Sequence, residues 1–113
     1  MTDARSANLR SPLTIVGVGA SAGGLEAMLS LFSHMPMTGC VTYVVAQHMA
    51  HDGHSDLVVR LINRESALPV VLAGDVELLQ ADTVYIIPAG KDGIVTEQTL
   101  RLRDPGAANI STP

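Results

Sequence analysis

The sequence predicts an α/β fold built on a mostly parallel β-sheet. Apolar, β-branched runs of strand length alternate with stretches that show the apolar periodicity of helices. Strands that alternate with helices form parallel sheets through right-handed crossovers. The 113 residues are 47% hydrophobic and 16% charged, which is typical of a single globular domain with a buried core.

The first predicted unit is a strand, a glycine-rich turn and a helix. Residues 14–18 form a β-branched run, and residues 19–24 are small and glycine-rich, so we expect the strand to break at Gly19. The helix should begin at Leu25 and end near His34, because Pro36 disfavours helical geometry before it. Its buried face has helical spacing and comprises Leu25, Met28, Leu29 and Phe32.

The remaining elements complete the alternation and add a hairpin. Residues 40–46 predict a central strand buried on both faces, with Cys40 as a buried thiol. Residues 69–72 and 83–87 predict two further strands joined by an acidic connection over residues 73–81, and residues 94–97 and 100–103 predict a C-terminal β-hairpin around Gln98 and Thr99. A second helix starts at Ser55, and its predicted buried stripe is Leu57, Val58, Leu61 and Ile62.

Composition limits the function classes and the domain boundaries. We expect a disordered leader over residues 1–12, one domain over residues 13–103, and a tail or linker over residues 104–113. A net charge of −4 argues against a nucleic-acid partner, and one cysteine fits a reducing compartment. The leader lacks the apolar region of a signal peptide, and no apolar run approaches the ~20 residues that span a bilayer. These observations predict a cytoplasmic protein without membrane insertion.

Two interpretations of the glycine-rich turn compete. Gly19-x-Ser21-x-Gly23 has the pattern of a nucleophile elbow, in which a sharp strand-to-helix turn presents a serine hydroxyl. Gly17-x-Gly19-x-x-Ala22 has the pattern of a dinucleotide-binding fingerprint. Each pattern is weak alone, since a glycine-rich turn often has a purely structural role.

The end of the second strand favours the nucleophile. A dinucleotide fold needs an acidic residue there to bind the ribose hydroxyls, and this chain has Gln47 and His48 instead. If the first two strands are neighbours, Ser21 and His48 emerge at the same edge of the sheet. An imidazole in that position could accept the serine proton.

Three segments together resemble a known family. IVGVGASAGGLEA, the SHMP turn and VVAQHM resemble the catalytic domain of CheB-type chemotaxis receptor methylesterases over about residues 14–103. The resemblance is closest to the N-terminal part of CheB/CheR methylesterase–methyltransferase fusion proteins. It implies a three-layer α/β/α fold and hydrolysis of glutamate γ-methyl esters on cytoplasmic receptor helices, with glutamine deamidation as a second activity. It implies those helices and a fused or separate methyltransferase or regulatory domain as partners, and no cofactor.

The same resemblance implies roles for individual residues. Ser21 would be the nucleophile and His48 the general base, while Ala22, Gly23 and Met49 would hold the oxyanion and the substrate. Many family members carry threonine at the position of Ala22. No metal site is predicted, because His51 and His54 match no strong ligand spacing.

The family's third catalytic residue is an aspartate in a GMGxDG-type segment that this sequence does not contain. Loss of the orienting acid can lower kcat by about 10⁴-fold. We therefore expect weak or no esterase activity from this polypeptide unless another acid substitutes, and a non-catalytic regulatory or docking module is the alternative. The aspartates in unmatched segments are Asp52, Asp56, Asp75, Asp82, Asp92 and Asp104.

Overall fold

The computed structural model describes residues 13–21, 24–48 and 55–105. The predicted leader and nearly all of the predicted tail lie outside these residues, so those boundaries stay predictions. The described elements, in chain order, are β1 (Thr14–Ser21), α1 (Leu25–Ser33), β2 (Val41–His48), α2 (Ser55–Glu65), β3 (Val70–Leu72), β4 (Val76–Leu78), β5 (Val84–Ile86), β6 (Asp92–Thr96) and β7 (Thr99–Arg103).

The main sheet has the strand order β1-β2-β5-β3, and all its pairs are parallel. This confirms the predicted α/β class with a mostly parallel sheet. The crossovers from β1 to β2 and from β2 to β3 advance in the same direction across the sheet. Right-handed crossovers therefore place α1 and α2 on the same face, where the two helices contact each other.

The core between the helices and the sheet follows the predicted periodicity with one exception. Met28 and Phe32 of α1 are buried, as are Val58 and Ile62 of α2. Leu57 is 45% exposed, so its assignment to the buried stripe is wrong. Val58 and Ile62 occupy the centre of the stripe and Leu57 lies on its flank. The predicted face residues Leu25 and Leu29 are half-buried and pack against this core, and Leu61 is half-buried.

Strand β2 is the predicted central strand, because it lies between β1 and β5 and is buried from Thr42 to Val45. Its side chains alternate between two cores: Tyr43 and Val45 face the helices, and Val44 faces the second core. Cys40 is exposed, so the prediction of a buried thiol is wrong. The reason is its position before the first paired residue of β2, at the amino edge of the sheet.

A second, antiparallel sheet has the order β4-β7-β6. Leu100 of β7 is fully buried and packs with Tyr85 and Ile87 of the main sheet region. A Cβ atom placed on Gly93 would lie only 2.7 Å from Ile87 Cδ1 and 2.8 Å from Leu100 Cδ1, so the hairpin lies tightly against this core.

The predicted hairpin is confirmed, but its turn lies one residue earlier than predicted. A further strand, which was not predicted, pairs with the hairpin. The turn is at Glu97 and Gln98, whose φ angles of 51° and 64° have the positive sign that a type I′ turn requires. The acidic connection over residues 73–81 contains strand β4, which pairs with β7. The sequence does not reveal β4 as a strand of its own because three residues give little periodicity.

Asp82 connects two loops at the amino edge of the main sheet. Its Oδ1 accepts a 2.8 Å hydrogen bond from the Thr38 backbone N–H, and its Oδ2 accepts a 3.0 Å bond from the Gly39 N–H. Its φ of 57° lies in the left-handed region, which aspartate and asparagine tolerate better than most residues.

We expect Asp82→Ala to lower the free energy of unfolding by about 1–3 kcal/mol, because two backbone donors lose a charged acceptor. Urea denaturation measures the change. Asp82→Asn keeps one carbonyl acceptor and tolerates the backbone geometry, so it should lose less stability. An Asp82→Ala variant within about 0.5 kcal/mol of the parent would contradict this role.

Candidate functional site

The predicted nucleophile and general base occupy paired positions at the carboxyl edge of the main sheet. Ser21 is the last residue of β1, His48 is the last residue of β2, and the two are partners in the parallel register. Neighbouring strands lie about 4.8 Å apart. The prediction that the first two strands are neighbours is therefore confirmed.

Strand β1 is longer than predicted. It does not break at Gly19, because Gly19, Ala20 and Ser21 continue the pairing with β2. Backbone pairing needs no side chain, so the small residues of this run can extend the strand, despite their low strand propensity, when a partner strand is present.

The residues that the structure describes leave the sheet face at Ser21 uncovered along β1. Successive residues of a strand alternate between faces, so Gly17, Gly19 and Ser21 share the face of Ile15, which packs against the second core. A Cβ atom placed on Gly17 or Gly19 would meet no heavy atom of the described residues within 4 Å. Ser21 itself is exposed. The glycines thus leave room beside the serine for a bound group.

Helix α1 begins close to the end of β1. A Cβ atom placed on Gly24, the residue before α1, would lie 3.2 Å from the Ala20 Cβ atom. Gly24 has no side chain that could accept a hydrogen bond from the N–H groups of the first helical turn. Donors of this kind at a helix N-terminus favour negative charge, including that of a developing oxyanion.

Three predicted site residues lie outside the described part of the chain: Ala22, Gly23 and Met49. Their roles stay predictions. Among the residues that the structure does describe, no group of three or more His, Cys, Asp or Glu side chains could hold a metal ion. Neither described helix is long and apolar enough to cross a membrane.

Two of the described aspartates are engaged in other contacts. Asp82 accepts backbone hydrogen bonds at the amino edge, opposite to Ser21. Asp104 accepts a 2.9 Å hydrogen bond from Lys91 Nζ in the loop that follows β5. That hydrogen bond and the charge of Asp104 raise the pKa of Lys91 above its ordinary value.

The position of the glycines argues against dinucleotide binding. Gly17 and Gly19 are paired within β1, opposite Val44 and Ala46. In a dinucleotide site the glycines form the turn that admits the pyrophosphate to the helix N-terminus. Here that turn begins only after Ser21.

Sequence reasoning missed an exposed surface formed by β4 and the hairpin. Val76 and Leu78 of β4 are 57% and 67% exposed, and Arg101 lies opposite Val76. The only sequence signal is the alternation of Val76, Glu77 and Leu78, which is too short to establish a strand and would place in a core the two apolar residues that are exposed here.

The comparisons with known proteins concern the family and the fold of the chain. The model of the CheB methylesterase family matches residues 16–112. The protein-glutamate methylesterase/protein-glutamine glutaminase 1 of Saccharophagus degradans is 34% identical over 101 residues, which are 88% of this chain and 27% of that protein. The enzyme of the same name from Caulobacter vibrioides is 36% identical over 89 residues, which are 79% of this chain and 25% of that protein.

Among solved structures, the CheB methylesterase catalytic domain of Thermotoga maritima is similar, with a TM-score of 0.69 and 23% sequence identity. The match covers 81% of this chain and 49% of that one, and it shows a shared fold. This chain spans about a quarter of the length of the curated relatives that it matches. Because the family model covers most of the sequence, the protein belongs to the CheB methylesterase family.

Proposed function

We propose that this chain carries the nucleophile and general base of a protein-glutamate methylesterase. The substrate is a glutamate γ-methyl ester on the cytoplasmic helices of chemotaxis receptors, within two-component signalling, and glutamine deamidation is the second activity. The observation that carries the proposal is the register pairing of Ser21 with His48 at the carboxyl edge. The names of the relatives, which include both methylesterase and glutaminase, support the substrate class.

The reaction is an acyl transfer in two steps. His48 accepts the hydroxyl proton of Ser21 while Oγ attacks the ester carbonyl carbon. The protonated imidazole then gives this proton to the departing methoxide, which leaves as methanol. In the second step His48 takes a proton from water while the hydroxide attacks the acyl-serine carbonyl carbon, and the protonated imidazole then gives that proton to Ser21 Oγ as the acyl–oxygen bond breaks. The products are the glutamate side chain and a regenerated serine.

The reaction also requires hydrogen-bond donors for the oxyanion and space for the substrate side chain beside the serine. The backbone N–H groups of Ala22 and Gly23, at the start of the turn into α1, would hold the oxyanion. The open face along Gly17 and Gly19 would admit the substrate side chain, and Met49 would contact it. This chemistry uses only side chains, backbone donors and water.

A non-catalytic regulatory or docking module of the same fold is the second candidate. It is favoured by the placement of the aspartates, since the carboxylates of Asp82 and Asp104 are engaged elsewhere. Without an orienting acid, the imidazole tautomer that accepts the serine proton is not fixed. In this case the chain would bind a fused or separate methyltransferase or regulatory domain.

Labelling with a fluorophosphonate probe, followed by mass spectrometry of the modified peptide, tests the proposal. We expect the label on Ser21 in the parent chain and its loss in Ser21→Ala. Ser30→Ala is the matched control, because Ser30 is an exposed serine of α1. A parent chain that is folded by circular dichroism but takes no label on Ser21 would overturn the esterase proposal and favour the second candidate.

A further inference from the structure

Gly24, the residue before α1, lacks a side chain for a reason of space rather than of backbone conformation. Its φ of −92° and ψ of 8° are accessible to L-residues with a side chain, so the backbone does not require glycine there. A Cβ atom placed on Gly24 would lie 3.2 Å from the Ala20 Cβ atom, which is closer than two carbon atoms pack without strain. The glycine therefore serves the close approach of α1 to β1.

Other described glycines have different reasons for the missing side chain. A Cβ atom on Gly17 or Gly19 would meet no heavy atom of the described residues within 4 Å. Gly39 and Gly90 have a φ of 82°, a conformation that favours glycine whatever the space around it. Gly24 differs from these four, because its conformation is ordinary and its surroundings are crowded.

The contact partner, Ala20, directly precedes the proposed nucleophile. Ala20 and Ser21 are both paired with β2 in the parallel register, so the end of β1 is held by its partner strand. Ala20 packs against the core between the helices and the main sheet, and Ser21 lies on the opposite face of the strand. Because pairing fixes the strand, a larger residue at the contact would displace the first turn of α1 rather than β1.

Such a displacement would act on the segment that connects the strand to the helix. Only Ala22 and Gly23, the proposed oxyanion donors, separate Ser21 from Gly24 in the sequence. One end of this segment is held by β1 and the other by the first turn of α1. A shift of α1 changes the distance that the two residues must span, and we expect it to move their N–H groups relative to Ser21 Oγ.

We propose that Gly24 is a positioning residue for the serine. Its contact with Ala20 sets how closely α1 approaches the end of β1, and this approach sets the reactivity of Ser21. The role in reactivity rests on the proposed function. Gly24 acts through the two connecting residues rather than on the substrate itself. Since a misplacement of reacting groups by 1 Å can cost about 10²-fold in rate, a shift of a few tenths of an ångström has a severalfold effect.

The test is a double-mutant cycle on the labelling of Ser21 by the fluorophosphonate probe. Gly24→Ala adds a methyl group at the crowded contact, and we expect the maximal labelling rate to fall about 3–10-fold. Ala20→Gly removes the opposing methyl group. In the Ala20→Gly background, Gly24→Ala should change the maximal rate by less than about 1.5-fold, because the added methyl group then has room. The probe concentration that gives the half-maximal rate should stay within about twofold in every variant, since the open face along β1 is unchanged.

Gly24→Ser separates the packing contact from helix capping. Serine is a preferred N-cap residue and alanine a poor one, so a loss that is caused by poor capping should be absent in Gly24→Ser. The serine carries the same Cβ atom as the alanine, so the positioning role predicts slow labelling in both variants. Rates are compared under conditions in which circular dichroism shows that each variant is folded.

Parental labelling rates in Gly24→Ala and Gly24→Ser would overturn the proposal, as would an equal loss from Gly24→Ala in the parent and in the Ala20→Gly background. The backbone amide resonance of Ser21 in NMR spectra gives a readout that needs no reaction. Gly24→Ala should move this resonance in the parent and leave it in place in the Ala20→Gly background.

The two readouts distinguish the positioning role from the esterase function. A parent chain without labelling, in which the Ser21 resonance follows this pattern, would reject the esterase function and retain the control of the Ser21 backbone by the Ala20–Gly24 contact. A parent chain that is labelled on Ser21, with independent effects of the two substitutions on its rate, would retain the esterase function and reject the positioning role.

Discussion

Replacing His48 by alanine is expected to slow fluorophosphonate labelling of Ser21 by about 10²–10⁴-fold, the usual contribution of a general base. The reason is the register of β1 and β2, which pairs the two residues at the carboxyl edge. Without the imidazole, the serine must lose its proton to water, and its hydroxyl is a weak nucleophile in the protonated form. The rate of labelling is followed by quenching at fixed times and quantifying the modified peptide by mass spectrometry.

The control is a second histidine that lies away from the proposed catalytic pair of Ser21 and His48. His34 follows α1, and its Nδ1 is 2.8 Å from the Ser30 carbonyl oxygen. We expect His34→Gln to label within about twofold of the parent, since it contacts no reacting group. Added imidazole should restore part of the rate in His48→Ala, which a purely structural role would not allow. Labelling of His48→Ala at the parental rate would contradict the assignment of the base.

The sequence predicts the elements that are specified by local pattern. The β-branched runs of β2 and β5, the periodic face of α1 and the hairpin signal all appear as strands or helices where they were expected. The edge position of Ser21 and His48 also follows from the sequence, because each residue follows a strand that the pattern reveals. Their pairing in register adds the structural detail that β1 and β2 end together.

The differences from the prediction arise where a partner element decides the outcome. Gly19 and Ala20 continue β1 because β2 supplies the hydrogen-bond partners, a fact absent from the local composition. Strand β4 depends in the same way on its pairing with β7. Cys40 has an apolar strand after it, yet it is exposed because it lies before the first pair of β2. An acid for the proposed general base, His48, was not predictable, since none of the aspartates matches the family's motif.

Phe32→Ala is expected to lower the free energy of unfolding by about 3–5 kcal/mol, the range for large aromatic residues in cores. The Phe32 side chain is fully buried between α1 and the main sheet. Its ring meets the Tyr43 ring edge to face, with centroids 5.7 Å apart and an interplanar angle of 84°. The alanine leaves a cavity in the core and removes this aromatic contact. Urea denaturation followed by circular dichroism measures the loss.

Leu31 provides the matched control, because it is the neighbouring residue of the same helix and is 40% exposed. Leu31→Ala should cost less than about 1 kcal/mol, since alanine is a good helix former and little buried surface is lost. Equal losses in the two variants would contradict the assignment of the α1 faces. Because α1 begins beside Ala20, the packing of α1 through Phe32 also bears on the end of β1, where Ser21 lies. If the chain labels as proposed, Phe32→Ala should therefore slow the labelling of Ser21 even under conditions where the variant remains folded.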